Sequence, residues 1–183
     1  MTPEDLCLDT AFFRKNQPLT LYRLARARYA NLSGAGAALY PGRWNRLGQE
    51  AIYTSTEMAV PVLERLAHTS KELIPSNLAL MKIRVSGNWE HRKEGLVDSL
   101  TRACLIFHPI LANATVAFQI PQLFGEGLNP IAVAVPSTIV PVWNVVLYPE
   151  GVGFWNHVSL ESIEPFEFDP RLFSENTPLE TPE

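Results

Sequence analysis

The chain has 183 residues, 46% of them hydrophobic and 19% charged, and carries a formal net charge of −4 at pH 7. This length suits one globular domain with a full core, and a mildly acidic chain without a lysine or arginine block has no electrostatic footprint for nucleic acid. The acidic N-terminus argues against a signal peptide, and no window approaches the roughly 20 apolar residues of a membrane span. We therefore expect a cytoplasmic protein that contacts neither nucleic acid nor a membrane directly.

The first part of the chain is predicted to lead into a short strand and then a loop of small residues. Residues 1–20 are interpreted as an N-terminal lead-in, and residues 21–24 as a strand. Residues 33–38, SGAGAA, suggest a phosphate-cradling loop, but the dinucleotide fingerprint needs a third glycine where Leu39 stands. The pattern favours a mobile loop at the lip of a cleft.

Residues 39–67, LYPGRWNRLGQEAIYTSTEMAVPVLERLA, are the stretch around which the rest is organised. Residues 42–48 are rich in hydrogen-bonding groups and indicate a loop. Thr54 and Glu57 have capping-box spacing, which predicts that a helix begins there. Pro61 lies inside this predicted helix and should kink it, because proline removes a backbone donor.

The same stretch places three chemically useful side chains on consecutive elements. Arg43 lies in the loop, and Tyr53 ends a predicted strand at 51–53. Glu64 lies at the edge of the apolar stripe of the helix, where it can reach a cleft. Loop, strand and helix are therefore expected to bring Arg43, Tyr53 and Glu64 towards one another.

The remainder of the chain is predicted to add strands and a polar end. Residues 78–85 alternate between apolar and polar, which indicates a half-buried strand. Residues 131–135 form an unbroken apolar run, typical of a strand buried on both faces. Further predictions are a charged loop at 89–95, a short helix at 96–107, a strand at 144–148 and a polar tail at 173–183.

Several kinds of catalytic site find little support in the sequence. The four histidines and two cysteines are scattered, so no metal site is predicted. Ser137 follows a buried strand but lacks the glycines of a nucleophile elbow. Glu64 has no acidic partner in a structured stretch, which disfavours paired-carboxylate chemistry.

Two arginines, a tyrosine, a serine and one carboxylate remain: Arg23, Arg43, Tyr53, Ser137 and Glu64. Arginine forks match phosphate oxygens, so two arginines suggest a phosphate or pyrophosphate on the substrate. A tyrosine can stack on a flat heterocycle, and one carboxylate can hold ribose hydroxyls and stabilise positive charge on the sugar. These groups suit cleavage of a nucleotide's N-glycosidic bond, although their chemistry alone is not specific for it.

A resemblance to a known family rests on these residues and their order. The motifs are Tyr22-Arg23, Gly42-Arg43-Trp44-Asn45, Gly48, Ile52-Tyr53-Thr54, Leu63-Glu64, Val135-Pro136-Ser137 and Phe168-Asp169-Pro170-Arg171-Leu172. Together they resemble the RES domain family, the toxins of RES–Xre toxin–antitoxin modules. The likeness covers residues 21–172, which are therefore interpreted as a single RES domain.

The resemblance implies an α+β fold similar to the ADP-ribosyltransferases, with mixed or antiparallel sheets around a cleft for NAD⁺. NAD⁺ would be the substrate, and no metal would take part. Carried over by motif, Glu64, Arg43 and Tyr53 would be catalytic. Arg23, Arg43, Tyr53 and Ser137 would bind the substrate.

The resemblance leaves several alternatives open. NAD⁺ could lose nicotinamide by hydrolysis or phosphorolysis, or the ADP-ribose could be transferred to a protein, and a non-catalytic binding module on the same fold is a lesser alternative. The implied partner is an Xre-like helix-turn-helix antitoxin, and a homodimer stays open. Pro61, and Tyr148-Pro149 where the family usually shows Asn-Pro, depart from the family pattern.

Overall fold

The computed structural model describes residues 17–69, 75–86, 89–91, 105–107, 131–137 and 139–173. Within these ranges the strands are β1 (Leu19–Arg26), β2 (Ile52–Ser55), β3 (Leu78–Val85), β4 (Trp89–His91), β5 (Leu105–Phe107), β6 (Ala132–Pro136), β7 (Trp143–Leu147) and β8 (Val158–Phe166). The α-helices are α1 (Ala35–Leu39), α2 (Ala59–Ala67) and α3 (Phe154–His157), and short 3₁₀ turns lie at Ala27–Tyr29 and Pro170–Leu172.

The described strands form one mixed sheet in the order β4-β5-β6-β7-β2-β1-β3-β8. Pairing is parallel between β4, β5 and β6, and antiparallel at every other neighbouring pair. This confirms the predicted α+β class. The three strands β7, β2 and β1 lie side by side near the middle of the sheet, and α2 follows β2 directly in the chain.

Both faces of the sheet are buried at β6 and β7, because alternate residues of these strands enter two different cores. Ala132 and Ala134 of β6 belong to the larger core, with Leu21, Ile52 and others of the same face. Val133 and Val135 belong to a smaller core together with Trp44 and Tyr148. The prediction that the run at 131–135 is a strand buried on both faces is therefore confirmed.

Two predictions about the start of α2 are wrong. Thr54 is not a helix cap: it lies in β2, and its hydroxyl donates to the Val145 carbonyl of β7. The helix begins at Ala59, and its N-cap residue, Met58, makes no side-chain capping bond. Pro61 consequently falls in the first turn of the helix, where backbone N–H groups have no intrahelical partner and the lack of one costs no hydrogen bond. The helix therefore continues past Pro61 to Ala67.

Other elements differ from expectation in type or length. The loop predicted at 33–38 contains the short helix α1, and residues 89–91 and 105–107 are strands where a loop and a helix were expected. The strand predicted at 21–24 extends over all of β1. Residues 1–16, 92–104 and 174–183, on which parts of the lead-in, loop, helix and tail predictions fall, lie outside the described residues.

Candidate functional site

Glu64 on α2 is held by two side chains from the neighbouring part of the sheet. The amide nitrogen of Asn144, on β7, donates to Glu64 Oε1 at 2.7 Å. The hydroxyl of Ser137, which directly follows β6, donates to the same oxygen at 3.4 Å. We call Glu64, Ser137 and Asn144 the carboxylate cluster. The structure thus brings together two of the residues that the sequence singled out, Glu64 and Ser137.

The donors in the carboxylate cluster are both neutral. In the described part of the chain no lysine, arginine or histidine forms an ion pair with Glu64. A neutral donor orients a carboxylate without cancelling its charge, whereas a cation would do both. The cluster can therefore present a negative charge in a fixed position.

The end of β7 that carries Asn144 is fixed by hydroxyl groups of β2 and the residue after it. The Trp143 carbonyl accepts hydrogen bonds from Ser55 Oγ at 3.2 Å and from Thr56 Oγ1 at 3.0 Å. The backbone N–H of Thr56 donates to the same carbonyl at 3.1 Å. The Trp143 carbonyl group is part of the peptide bond between Trp143 and Asn144. These contacts therefore fix the backbone from which the Asn144 side chain extends.

Residues 42–48, which we call the arginine loop, are anchored by two tyrosines. Tyr53 Oη accepts the Trp44 N–H at 3.0 Å and donates to Asn45 Oδ1 at 2.8 Å. Tyr148 Oη donates to the Trp44 carbonyl at 2.7 Å. The backbone N–H and the carbonyl of Trp44 are thus each hydrogen-bonded to a tyrosine hydroxyl, and the Trp44 indole is buried in the smaller core.

The Asn45 side chain holds the rest of the arginine loop by hydrogen bonds to backbone groups. Its Oδ1 also accepts the Gly42 N–H at 2.9 Å, and its Nδ2 donates to the carbonyls of Ala37 and Gln49, each at 2.9 Å. Gly48 closes the loop at a φ of +82°, a backbone conformation that favours glycine. Tyr53 was predicted from the sequence, whereas Asn45 and Tyr148 were not identified as members of the same network.

The two phenols stay protonated at neutral pH. Burial raises the pKa of Tyr53, partly offset by the hydrogen bond from the Trp44 N–H. Burial, and secondarily the nearby Tyr53, raises the pKa of Tyr148 well above its ordinary value. In this neutral form both phenols hold the arginine loop by hydrogen bonds.

Gly42, in the arginine loop, packs directly against the Tyr53 ring. A Cβ at Gly42 would lie 2.5 Å from Tyr53 Oη and 2.8 Å from Cζ, so the loop or the ring must move. We expect Gly42→Ala to lower the free energy of unfolding by about 1–3 kcal/mol, the usual range for overpacking. Urea titration measures this loss.

The matched control for that substitution is Gly36→Ala. A Cβ at Gly36, in α1, meets nothing within 4 Å, and alanine is favoured over glycine in a helix. Gly36→Ala should therefore match or slightly exceed the wild type in stability. Equal midpoints for the two variants would show that the ring does not constrain Gly42.

The two predicted arginines occupy different environments. Arg43 is exposed, between Gly42 and Trp44, whose backbones are anchored, and its side chain makes no hydrogen bond or ion pair with another described residue. Arg23 of β1 is partly buried and donates to the Asn31 carbonyl at 2.9 Å. Burial lowers the pKa of Arg23 from its ordinary value, but arginine stays charged even so.

The described contacts do not bring all five predicted residues together. Arg23 is two residues from Leu21 and from Ala25 along β1, so it shares their face of the strand, the face of the larger core. Neither arginine touches Glu64 through a hydrogen bond or ion pair between described residues. The Tyr53 ring lies against Gly42, with its hydroxyl bound to the arginine loop.

Comparison with known proteins identifies the family of this chain. The family model described as the RES domain matches residues 20–169. The chain belongs to the RES domain family. A protein named Toxin Res from Photorhabdus laumondii is 32% identical over 157 residues, covering 84% of this chain and 97% of that protein.

Two further matches are a curated protein and a solved structure. A protein of Sphingobium sp. named Prs ADP-ribosylating toxin is 27% identical to this RES domain protein over 150 residues, covering 78% of this chain and 86% of that protein. A chain in the crystal structure of the Mycobacterium tuberculosis MbcT–MbcA toxin–antitoxin complex superposes with a TM-score of 0.56 and 18% identity, over 87% of this chain and 88% of that chain. The second match supports the fold.

Two negative findings complete the description. Within the described ranges, no three His, Cys, Asp or Glu side chains gather in a group that could hold a metal ion. In the same ranges, no helix has the length and apolar character needed to cross a membrane.

Proposed function

We propose that this RES domain protein is a toxin that consumes NAD⁺ by cleaving the bond between nicotinamide and ribose. The observation that carries the proposal is the carboxylate cluster, in which Glu64 is oriented by neutral donors and is not paired with a described cation. A charge fixed in this way stabilises positive charge that develops on a bound substrate. The family membership supports the same chemistry.

The proposed reaction breaks one bond and forms another at the same carbon. The C1″–N1 bond of the nicotinamide riboside breaks, and its electron pair leaves with nicotinamide, which becomes neutral. Positive charge then develops on the ribose C1″ and ring oxygen. An oxygen of the acceptor attacks C1″, and, where the acceptor is water, its proton passes to solvent.

In this mechanism Glu64 would stabilise the developing positive charge on the ribose. A fixed carboxylate in a partly desolvated site has this effect without reorganising during the reaction. Arg43 and Arg23 would bind the pyrophosphate of NAD⁺, since a guanidinium matches phosphate oxygens bidentately. The exposed and unpaired state of Arg43 among the described residues supports its role. Arg23 supports the proposal less, because its guanidinium is bound to the Asn31 carbonyl.

A second candidate function keeps the same site and changes the acceptor. The Sphingobium relative is named an ADP-ribosylating toxin, which favours transfer of ADP-ribose to a protein as the alternative to hydrolysis or phosphorolysis. The name of the MbcT–MbcA complex supports a cognate antitoxin, which we propose is an Xre-like helix-turn-helix protein. We expect it to cover the site near Arg43 and Gly48.

The test is to incubate the pure protein with NAD⁺ in buffers with and without phosphate and to separate the products by chromatography. We expect free nicotinamide in at least one buffer. ADP-ribose in both buffers indicates hydrolysis, and a phosphorylated ADP-ribose formed only with phosphate indicates phosphorolysis. Labelled NAD⁺ added to cell extract, with label recovered on a protein, indicates the transferase. Unchanged NAD⁺ under all three conditions contradicts the proposed function.

A further inference from the structure

Asn144 stands out as a polar side chain in an otherwise apolar strand. The strand β7 reads WNVVL, and apart from Asn144 all of its residues are buried in the two cores. Asn144 pairs with Ser55 on one neighbouring strand and with Val135 on the other. Because an asparagine gains nothing from apolar surroundings, its position calls for a hydrogen-bonding explanation.

The explanation lies in the contact between Asn144 and Glu64. The 2.7 Å distance from Asn144 Nδ2 to Glu64 Oε1 is short, as hydrogen bonds to ionised acceptors are. An ionised carboxylate can only accept, so the amide group must turn its nitrogen towards Glu64. This orientation leaves Asn144 Oδ1 buried without a hydrogen-bond partner among the described residues.

A buried acceptor without a partner costs free energy. A purely structural position gains nothing to offset that cost, because an apolar residue of similar size would fill the space without it. The cost of the unpartnered Asn144 Oδ1 is explained if the Asn144 amide nitrogen is needed to donate a hydrogen bond to Glu64. Glu64 Oε2, in contrast to Oε1, has no hydrogen-bond partner in the described part of the chain.

We propose that Asn144 is a positioning residue for the reaction at this site. Its amide holds one oxygen of the Glu64 carboxylate in a fixed position and leaves the second oxygen for the substrate. The hydroxyls of Ser55 and Thr56, bound to the Trp143 carbonyl, hold the strand end in place for this contact. The catalytic part of this inference rests on the proposed function, whereas the contact itself can be measured without activity.

The experiment compares Asn144→Ala and the nearly isosteric Asn144→Asp with the wild type. We expect Asn144→Ala to lower kcat about ten- to hundredfold with little change in KM, the effect of one hydrogen bond to a charged group. Asn144→Asp sets a second carboxylate against Glu64, and two facing carboxylates bind a proton more readily. The pH below which activity falls should therefore move up by about one unit or more.

The control for Asn144→Asp is Asn156→Asp, the same change on an exposed residue of α3. It should leave kcat and the pH profile as in the wild type. His68, which lies one helical turn after Glu64, is a second titratable group near the site. It is present in every protein compared and so cannot cause a difference between them.

A readout independent of activity separates this inference from the proposed function. The Glu64 carboxyl resonance is identified in ¹³C-glutamate-labelled protein by its loss in Glu64→Gln, and its titration midpoint should rise in both Asn144 variants relative to the wild type. Unchanged midpoints, or an Asn144→Ala variant that loses thermal stability while kcat and KM stay the same, overturn the inference. A wild-type protein that leaves NAD⁺ intact while the midpoints still move refutes the proposed function and supports the Asn144 contact.

Discussion

Glu64→Gln is expected to reduce NAD⁺ consumption by at least about a hundredfold. The substitution keeps the size and hydrogen-bonding shape of the side chain, so that Asn144 can still donate to its carbonyl oxygen. It removes the negative charge that we propose stabilises the ribose in the transition state, and the loss of one such group typically costs a hundredfold or more. The release of nicotinamide at saturating NAD⁺ measures the effect.

The matched control for this substitution is Glu57→Gln. Glu57 is exposed just before α2, and its hydrogen bonds with other described residues involve only its backbone. It should keep wild-type activity, which separates the role of Glu64 from a general loss of acidic charge. In cells, expression of Glu64→Gln should not slow growth, in contrast to the growth inhibition that we propose for the wild type. Near-parental NAD⁺ consumption by Glu64→Gln would falsify the catalytic assignment.

Periodicity in the sequence was enough to find most of the described sheet. The alternation at 78–85 and the apolar run at 131–135 correspond to β3 and β6, because both patterns reflect how many faces of a strand are buried. The beginning of α2 was misplaced for a physical reason. A Thr/Ser run can cap a helix or bind a neighbouring strand, and here the Thr54 hydroxyl bonds to Val145, 91 residues away.

Residues of the site were predictable only where a polar residue stands at a position that the fold alone would fill with an apolar one. A carboxylate at the edge of an apolar helix stripe and a serine beyond a buried strand were both identifiable, and the structure brings Glu64 and Ser137 together. The contact between Asn144 and Glu64 joins residues 80 positions apart, a long-range fact that spacing in the sequence does not encode. Asn in an apolar strand was the available signal. The catalytic and binding roles of all five predicted residues stay predictions.

Arg43 is the second residue for which we expect a large effect. Arg43 is exposed, while the backbone of the adjacent Trp44 makes hydrogen bonds with Tyr53 and Tyr148. The Arg43 side chain is therefore available to a ligand, and the backbone beside it is fixed. We expect Arg43→Ala to weaken NAD⁺ binding about ten- to hundredfold, the range for one hydrogen-bonded charge pair. Thermal stability should not change, because the side chain bonds to no other described residue.

The affinity is best measured by calorimetry in the Glu64→Gln background, where NAD⁺ is not consumed during the titration. Arg46→Ala is the matched control, since it removes the same charge from an exposed residue of the same arginine loop. Arg43→Lys restores the charge but not the planar pair of donors, and so should not restore affinity. If Arg43→Lys binds NAD⁺ as tightly as arginine does, the interaction is a general electrostatic one. If Arg43→Ala matches Arg46→Ala, Arg43 is an ordinary solvated charge and the pyrophosphate is bound elsewhere.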